Sequence, residues 1–219
     1  MPTFTDDQAT QYDSRITRLV PGYELLHQLT NAQLQATLKD NAHILVVGAG
    51  TGKEVIELAS INPTWKFTAQ DTSNDMLSVA SDKFAEQGIS DRVTVHCGPL
   101  EKLKTKADAA LCLLVLQFVE DNGDKKQVLK NIKASLNKDA ALYIADLMRP
   151  ETLFERDAQL LTCAKLGLGE AGQTHIRHSL ENEFYPLDRM RFSELLHECG
   201  FSTIPKLYFK ALGFSGYVI

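Results

Sequence analysis

Two stretches about 20 residues apart carry residue types suited to a ligand that joins a charged tail to a sugar. The first is Gly48-Ala49-Gly50-Thr51-Gly52, which follows the apolar run Ile44 to Val47 and precedes a helix-patterned segment opening at Lys53. A short apolar run, a glycine cluster and a switch to helical period read as strand, turn and helix. Gly48 and Gly50 suit a turn in which φ turns positive and a ligand comes against bare backbone. Such a turn is expected to aim free N–H groups and the positive end of a helix at the ligand. The second stretch is Asp71, which closes the β-rich segment 65–70. A carboxylate there can accept hydrogen bonds from both hydroxyls of a ribose, at about 1.5–3 kcal/mol for each bond to a charged group. Asp71 also has a plainer reading as a helix-capping aspartate.

Two other glycine chemistries fail on the same residues. A P-loop needs Gly-Lys followed by Ser or Thr, and Gly52-Lys53 is followed by Glu54. A dinucleotide fingerprint needs a third glycine where Lys53 stands.

Further candidates cluster at the ends of later strands. Thr72 and Met76 follow the acid, and Gly98-Pro99-Leu100 follows a strand at Val93–Cys97. The apolar run 108–118 reads as a fourth strand, which places Leu113 to Gln117 at the mouth of the sheet, where α/β folds bind ligands. Asp146, ending a fifth strand over 140–146, has the same positional claim and an equal one as a turn aspartate. His175, His178 and Tyr185 are candidate general bases, and Arg177 is a candidate anion clamp. Tyr12, Arg18 and Tyr23 are the polar residues of the N-terminal segment with a claim on the cleft. For Arg177 and both histidines the plain alternative is a solvated helix face.

These residues need a frame that brings them together. Residues 7–39 read as helix broken near Pro21-Gly22, helices follow at 52–60, 74–86 and 123–136, and 137–139 reads as a turn. Residues 150–181 are helical and polar, a helix follows at 190–199, and Thr203–Phe209 and Leu212–Ile219 form a closing hairpin. The alternation predicts an α/β, Rossmann-like, doubly wound sheet of seven strands, mostly parallel with a C-terminal antiparallel hairpin and helices on both faces. One domain over 1–219 is expected, with 1–40 as a helical lid and 150–185 as a helical insertion over the cleft.

With a net charge of −5 and Lys102, Lys104 and Lys106 reading as a solvated loop, no electrostatic footprint for nucleic acid is expected. A small-molecule substrate follows. The four cysteines are widely spaced and form no metal or redox pair, and Cys97 and Cys112 are expected as buried thiols in strands. No apolar run reaches the ~18 residues of a membrane span, and the N-terminus lacks a signal pattern, so no membrane contact and a cytoplasmic setting are expected. No metal is expected, and a homodimer is an open alternative.

Gly48-x-Gly50-x-Gly52 with Asp71-Thr72-Ser73-Asn74-Asp75-Met76-Leu77 resembles the class I S-adenosylmethionine (SAM) methyltransferases. The resemblance implies a transferase that binds SAM and releases S-adenosylhomocysteine (SAH). It implies Gly48, Ala49 and Gly50 against the methionine tail, and Asp71, Thr72 and Met76 at ribose and adenine. Pro99, Leu100, Leu113 and Gln117 complete that set. Val46 stands where many members carry an acid that helps hold the ligand's amino group, so that contact must come from elsewhere. Within the superfamily, Arg18-Leu-Val-Pro-Gly-Tyr23, Leu116-Gln117-Phe118 and Arg177-His-Ser-Leu-Glu-Asn182 resemble the carboxy-SAM synthases. In that family the arginine grips an added carboxylate. Pro99, Leu113 and Ala49-Gly50-Thr51 depart from the family's pattern. Methyl transfer to a small molecule, an anionic one if Arg177 faces the cleft, is the leading expectation. The alternatives are carboxy-SAM synthesis and a SAM- or SAH-binding protein without catalysis, with a nicotinamide dehydrogenase disfavoured by Lys53.

Overall fold

The computed structural model describes residues 6–202 and 204–219, with the backbone alone for residues 6–8 and 10. Strands β1 (His43–Val47), β2 (Lys66–Asp71), β3 (Val93–Cys97), β4 (Ala107–Leu113), β5 (Leu136–Leu147), β6 (Lys206–Ala211) and β7 (Phe214–Val218) form one sheet. Its order is β3-β2-β1-β4-β5-β7-β6. The first five run parallel, and β7 is antiparallel to both β5 and β6. The predicted sheet and hairpin are therefore present. The order reverses at β1, so the carboxyl ends of β1, β2 and β4 open on one crevice.

Alternation within the strands divides the core. Ile44 and Val46 pack with Ala109, Leu111 and Tyr143 against α3 (Lys53–Ile61) and α4 (Asn74–Glu86). Leu45 and Val47 pack on the other face with Ala110, Cys112, Leu142 and Ile144, against α5 (Asp124–Ser135) and α8 (Arg189–Glu198). Side chains two apart share a face, so a strand buried on both faces reads as a continuous apolar run.

A further layer sits at the crevice. Helices α1 (Asp6–Leu19) and α2 (Tyr23–Thr37) break at Pro21-Gly22, and Ile16, Val20, Tyr23 and Leu26 pack on Leu113, Leu114 and Phe214. Helices α6 (Glu155–Lys165) and α7 (Glu170–Asn182) pair through Leu160, Cys163 and Ile176. The polar stretch predicted as one helical region is thus two helices, divided at Leu166–Gly169, with Gly167 at φ 94.

Three expectations need correction. β4 stops at Leu113 instead of running to Phe118, because Leu114 takes φ 61 and residues Leu116–Phe118 form a 3₁₀ turn. The apolar run continued because this turn is itself buried, and period alone cannot separate the two cases. β5 begins at Leu136, so Asn137 to Asp139 lie within the strand, with the register irregular opposite Ala107 and Ala109. Cys97 is exposed, since β3 is the sheet's edge strand. Thr203, the expected start of the hairpin, and residues 1–5 of the N-terminal stretch read for a signal pattern lie outside the described residues. Among the described residues no helix is long and apolar enough to cross a membrane.

Candidate functional site

The glycine loop and Asp71 are in direct contact. Asp71 Oδ2 accepts from the Gly50 N–H at 2.9 Å, and Oδ1 accepts from the Ser73 N–H at 2.9 Å. An ionised carboxylate has about four acceptor sites. Two bonds therefore leave capacity on both oxygens, and the residue is only half-buried. The Ser73 hydroxyl caps α4 by accepting from the Met76 N–H, so Ser73, not Asp71, is the N-cap.

The loop differs from expectation in two ways. Its N–H groups are not all free: the Ala49 N–H donates to Gln70 O and the Gly50 N–H to Asp71. Gly48, at φ 68, lacks a Cβ because of the protein itself, since a Cβ there would lie 2.4 Å from Val115 Cγ2. Gly50, at φ 51, has only Gly48 O near the place of a Cβ, at 4.0 Å. Gly50 is the open glycine. Gly48 locks β1's loop to the residues that follow β4.

Two cavities adjoin at this point. A small one, about 20 Å³, lies on the loop between Gly48–Thr51, Lys53, Glu54, Leu113, Leu114, Tyr12 and Tyr23. It is small because α1 closes over it: Asp13 accepts from Thr51 Oγ1 at 2.5 Å and is ion-paired with Lys83 of α4. The Tyr12 hydroxyl is buried there, and desolvation, with Glu54, Asp13 and Asp71 nearby, pushes its pKa up. The larger cavity, about 260 Å³, lies between α1, α6, α7 and the carboxyl ends of β4 and β5. Its wall is mostly apolar, with Ile16, Leu19, Phe118, Ile176, Leu180 and Phe214. Arg15, Gln117, Gln159, His175, Ser179 and Glu183, with Tyr12, are its polar members. Tyr12 and Leu114 line both cavities.

The remaining candidates divide by position. Met76 on α4 and Leu100 after β3 are buried, and Thr72 and Pro99 are exposed at the ends of β2 and β3. Leu113 and Gln117 are buried at the crevice. His175 reaches the larger cavity, whereas Arg177 and His178 are exposed on α7 and line neither one. His178 is engaged by Asn182 at 3.2 Å. Tyr185 lies in a separate groove with Asp121 and Arg191, and its backbone N–H donates to Gln117 O. Arg18 approaches Gly167, at the division between α6 and α7.

Asp146 does not face the cleft. It is buried beneath the turn after β4, where it accepts from the N–H groups of Gln117 and Leu147 at 3.1 and 3.0 Å. Burial raises its pKa to about 7, against the pull of nearby Lys125 and those backbone bonds. Lys125 Nζ donates to Leu116 O and Tyr185 O. The two residues hold the turn that carries Gln117. Among the described residues no group of three or more His, Cys, Asp or Glu is placed to hold a metal.

Sequence reading missed Glu54, Arg15 and Gln159. Glu54 served there only to exclude a P-loop. Arg15 has a signal, because it shares a helical face with Tyr12, Ile16 and Leu19. Gln159 has none, since nothing marks which face of α6 is covered.

Comparison with known proteins agrees with this geometry. The family described as a methyltransferase domain matches residues 45–142. That span begins in β1 and ends within β5, leaving α1, α2, α6 and α7 outside it. A carboxy-S-adenosyl-L-methionine synthase of Ruthia magnifica is 26% identical over 98% of this chain and 92% of its own length. Among solved structures, one from Methanococcus maripaludis, assigned as a SAM-dependent methyltransferase, has a TM-score of 0.68 at 18% identity. It is matched over 100% of this chain and 94% of its own. A Nostoc punctiforme structure, assigned as an O-methyltransferase, has a TM-score of 0.70 at 16% identity over 97% of this chain, which spans only 58% of that protein.

Proposed function

We propose that this chain, whose methyltransferase domain and fold are those of a class I SAM-dependent enzyme, moves the methyl group of SAM to a small molecule held in the 260 Å³ cavity. The observation that carries this reading is the shared wall. Tyr12 and Leu114 border both the loop cavity, where the donor's amino-acid end would lie, and the larger cavity suited to an acceptor.

Methyl transfer is an in-line displacement. The bond from sulfur to methyl carbon breaks as the acceptor's lone pair forms the new bond, and SAH is left. Alignment and exclusion of water supply much of the rate for such a step. In this reading Asp71 holds the ribose, and Leu113 and Leu114 help keep the transfer site dry. His175 takes a proton where the acceptor carries one. The acceptor is small, because 260 Å³ lies at or below the low end of ligand pockets, about 300–1,000 Å³. It is largely apolar with a hydrogen-bond acceptor: Gln159 is buried, its Oε1 is held by Arg156 at 2.7 Å, and its Nε2 has no partner among the described residues. Arg15 and Glu183 both line this wall, so the cavity carries one charge of each sign, and the anion clamp first expected of Arg177 has no counterpart there without an opposing acid. Since α1 closes the loop cavity to about 20 Å³, SAM entry requires α1 to swing away. A single domain with α1 as its lid and α6–α7 as its substrate-side insertion fits this cycle, in a protein needing neither metal nor nucleic acid.

A second reading is carboxy-SAM synthesis, favoured by the similarity to the synthases over 98% of the chain. The exposed Arg177 counts against it, unless α7 turns when a ligand is bound. Mass spectrometry of ligand retained through purification, paired with transfer of labelled methyl from SAM to small oxygen and nitrogen nucleophiles, separates the two. Retained SAM or SAH with label in an acceptor supports methyl transfer. A carboxylated SAM replaces that reading with the second. Absence of any adenosyl ligand, with no stabilisation by added SAH, removes both.

A further inference from the structure

Glu54 is a mostly buried acid beside the glycine loop, and among the described residues no Lys or Arg is paired with it. It is the second residue of α3, its side chain is 12% exposed, and it lines the loop cavity with Tyr12, Tyr23, Gly50 and Leu113. Among the described residues, the ionisable nitrogen within 4.0 Å is His27 Nδ1 on α2, at 3.8 Å. That ring cannot neutralise it near pH 7. Burial lowers its pKa to about 4, and among the described residues neither ring nitrogen has a hydrogen-bond partner. Lys53 lines the same cavity, but its ammonium is already held by Glu24 at 3.0 Å and Glu57 at 2.7 Å and is not within 4.0 Å of Glu54. β1 supplies no acid, since Ile44 to Val47 are apolar and buried. A carboxylate taken from water without a paired charge is costly and persists where a partner arrives or where it stays protonated.

The direction of the ligand follows from Asp71. With ribose at that acid and sulfur over the loop, the amino-acid tail runs towards the cavity that Glu54 lines. We infer that Glu54 binds the α-ammonium of the adenosyl ligand's amino-acid tail, so that the ligand supplies the cation this carboxylate lacks. The inference rests on the SAM reading above and assigns to α3 a contact that β1 does not make. It also gives the contact a pH dependence. Burial, partly offset by a bond from its own backbone N–H, raises the pKa of Glu54 to about 7. The other titratable groups around it are Tyr12 and Asp13 on α1, Tyr23 and His27 on α2, and Lys53 and Glu57 on α3.

Calorimetry of the full chain with two ligands tests this. SAH carries the amino-acid tail, and 5′-methylthioadenosine has the same adenosyl thioether without it. Glu54→Gln is expected to weaken SAH at least tenfold and leave 5′-methylthioadenosine within about twofold, as loss of a charge-assisted contact predicts. Independently of any variant, wild-type SAH affinity is expected to rise up to about tenfold per pH unit from pH 5 towards 7 and then level off. Affinity for 5′-methylthioadenosine should stay flat over that range. Unchanged SAH binding in E54Q, equal weakening of both ligands, or parallel pH profiles would overturn the assignment. If wild type binds neither ligand, the adenosyl reading fails before the role of Glu54 arises.

Discussion

Asp71, the last residue of β2, accepts a hydrogen bond from the Gly50 N–H at 2.9 Å across 21 positions of sequence. The bond ties the two halves of the proposed cofactor site into one rigid unit. A sugar-binding acid is thereby fixed relative to the loop that takes the rest of the ligand. Pre-organisation of this kind lowers the cost of ordering the site at the moment of binding.

Gly48 is held by packing as well as by backbone conformation. Gly48→Ala places a methyl 2.4 Å from Val115 Cγ2 at a position with φ 68. A loss of about 2–4 kcal/mol in stability is expected, measured by urea unfolding. Adding Val115→Ala should recover only part of it, because the backbone strain remains.

The positions of these residues were legible in the sequence to different degrees. The glycine loop, Asp71 and the seven strands follow from local patterns: continuous apolar runs, turns at glycine, and a capped helix after the acid. The closing hairpin was legible as two strands either side of Gly213, which takes φ 70. What contacts these patterns was not legible. Nothing local shows that Val115 fills the space above Gly48, or that Asp146 turns beneath the sheet's mouth to hold Gln117. The 3₁₀ turn at Leu116–Phe118 is as apolar as the strand before it, so period could not end β4 at Leu113. On α7, Arg177 and His175 looked equivalent, and the packing of Ile176 and Ser179 decided that only His175 reaches the cavity.

Asp13 fastens α1 over the loop through Thr51 and Lys83. Asp13→Ala should cost about 0.5–1 kcal/mol in stability, as expected for loss of a partly exposed polar pair. SAH association, followed by stopped-flow fluorescence, should become faster by several-fold. An unchanged association rate would mean that α1 does not gate entry.

Asp146 makes stability depend on pH. Its folded pKa, about 7, lies above its ordinary value of 3.8, so the folded state holds a proton that the unfolded state has lost between those values. Stability from this group therefore falls as pH rises from about 4 to 7, by up to about 1.4 kcal/mol per unit. Asp146→Asn cannot ionise, so its stability relative to wild type should climb over that interval and level off above pH 7. His27, shifted the opposite way, contributes equally to both proteins, and the difference between them isolates Asp146. Chemical denaturation at several pH values reads it directly.

Ile176 lines the larger cavity and lies outside the loop cavity. Ile176→Trp should fill much of the acceptor space. Methyl transfer, once an acceptor is in hand, should fall by at least tenfold in kcat/KM while SAH affinity stays within about threefold. Equal loss of both would merge the two cavities into one site.

The most direct measurement is calorimetric titration of wild type and Asp71→Ala with SAH and with 5′-methylthioadenosine. Wild type is expected to bind both, and the variant to lose about 10–100-fold in affinity for each, since both ligands carry the ribose that Asp71 would grip. Undiminished binding in a folded Asp71→Ala protein, or no binding of either ligand to wild type, would contradict the account.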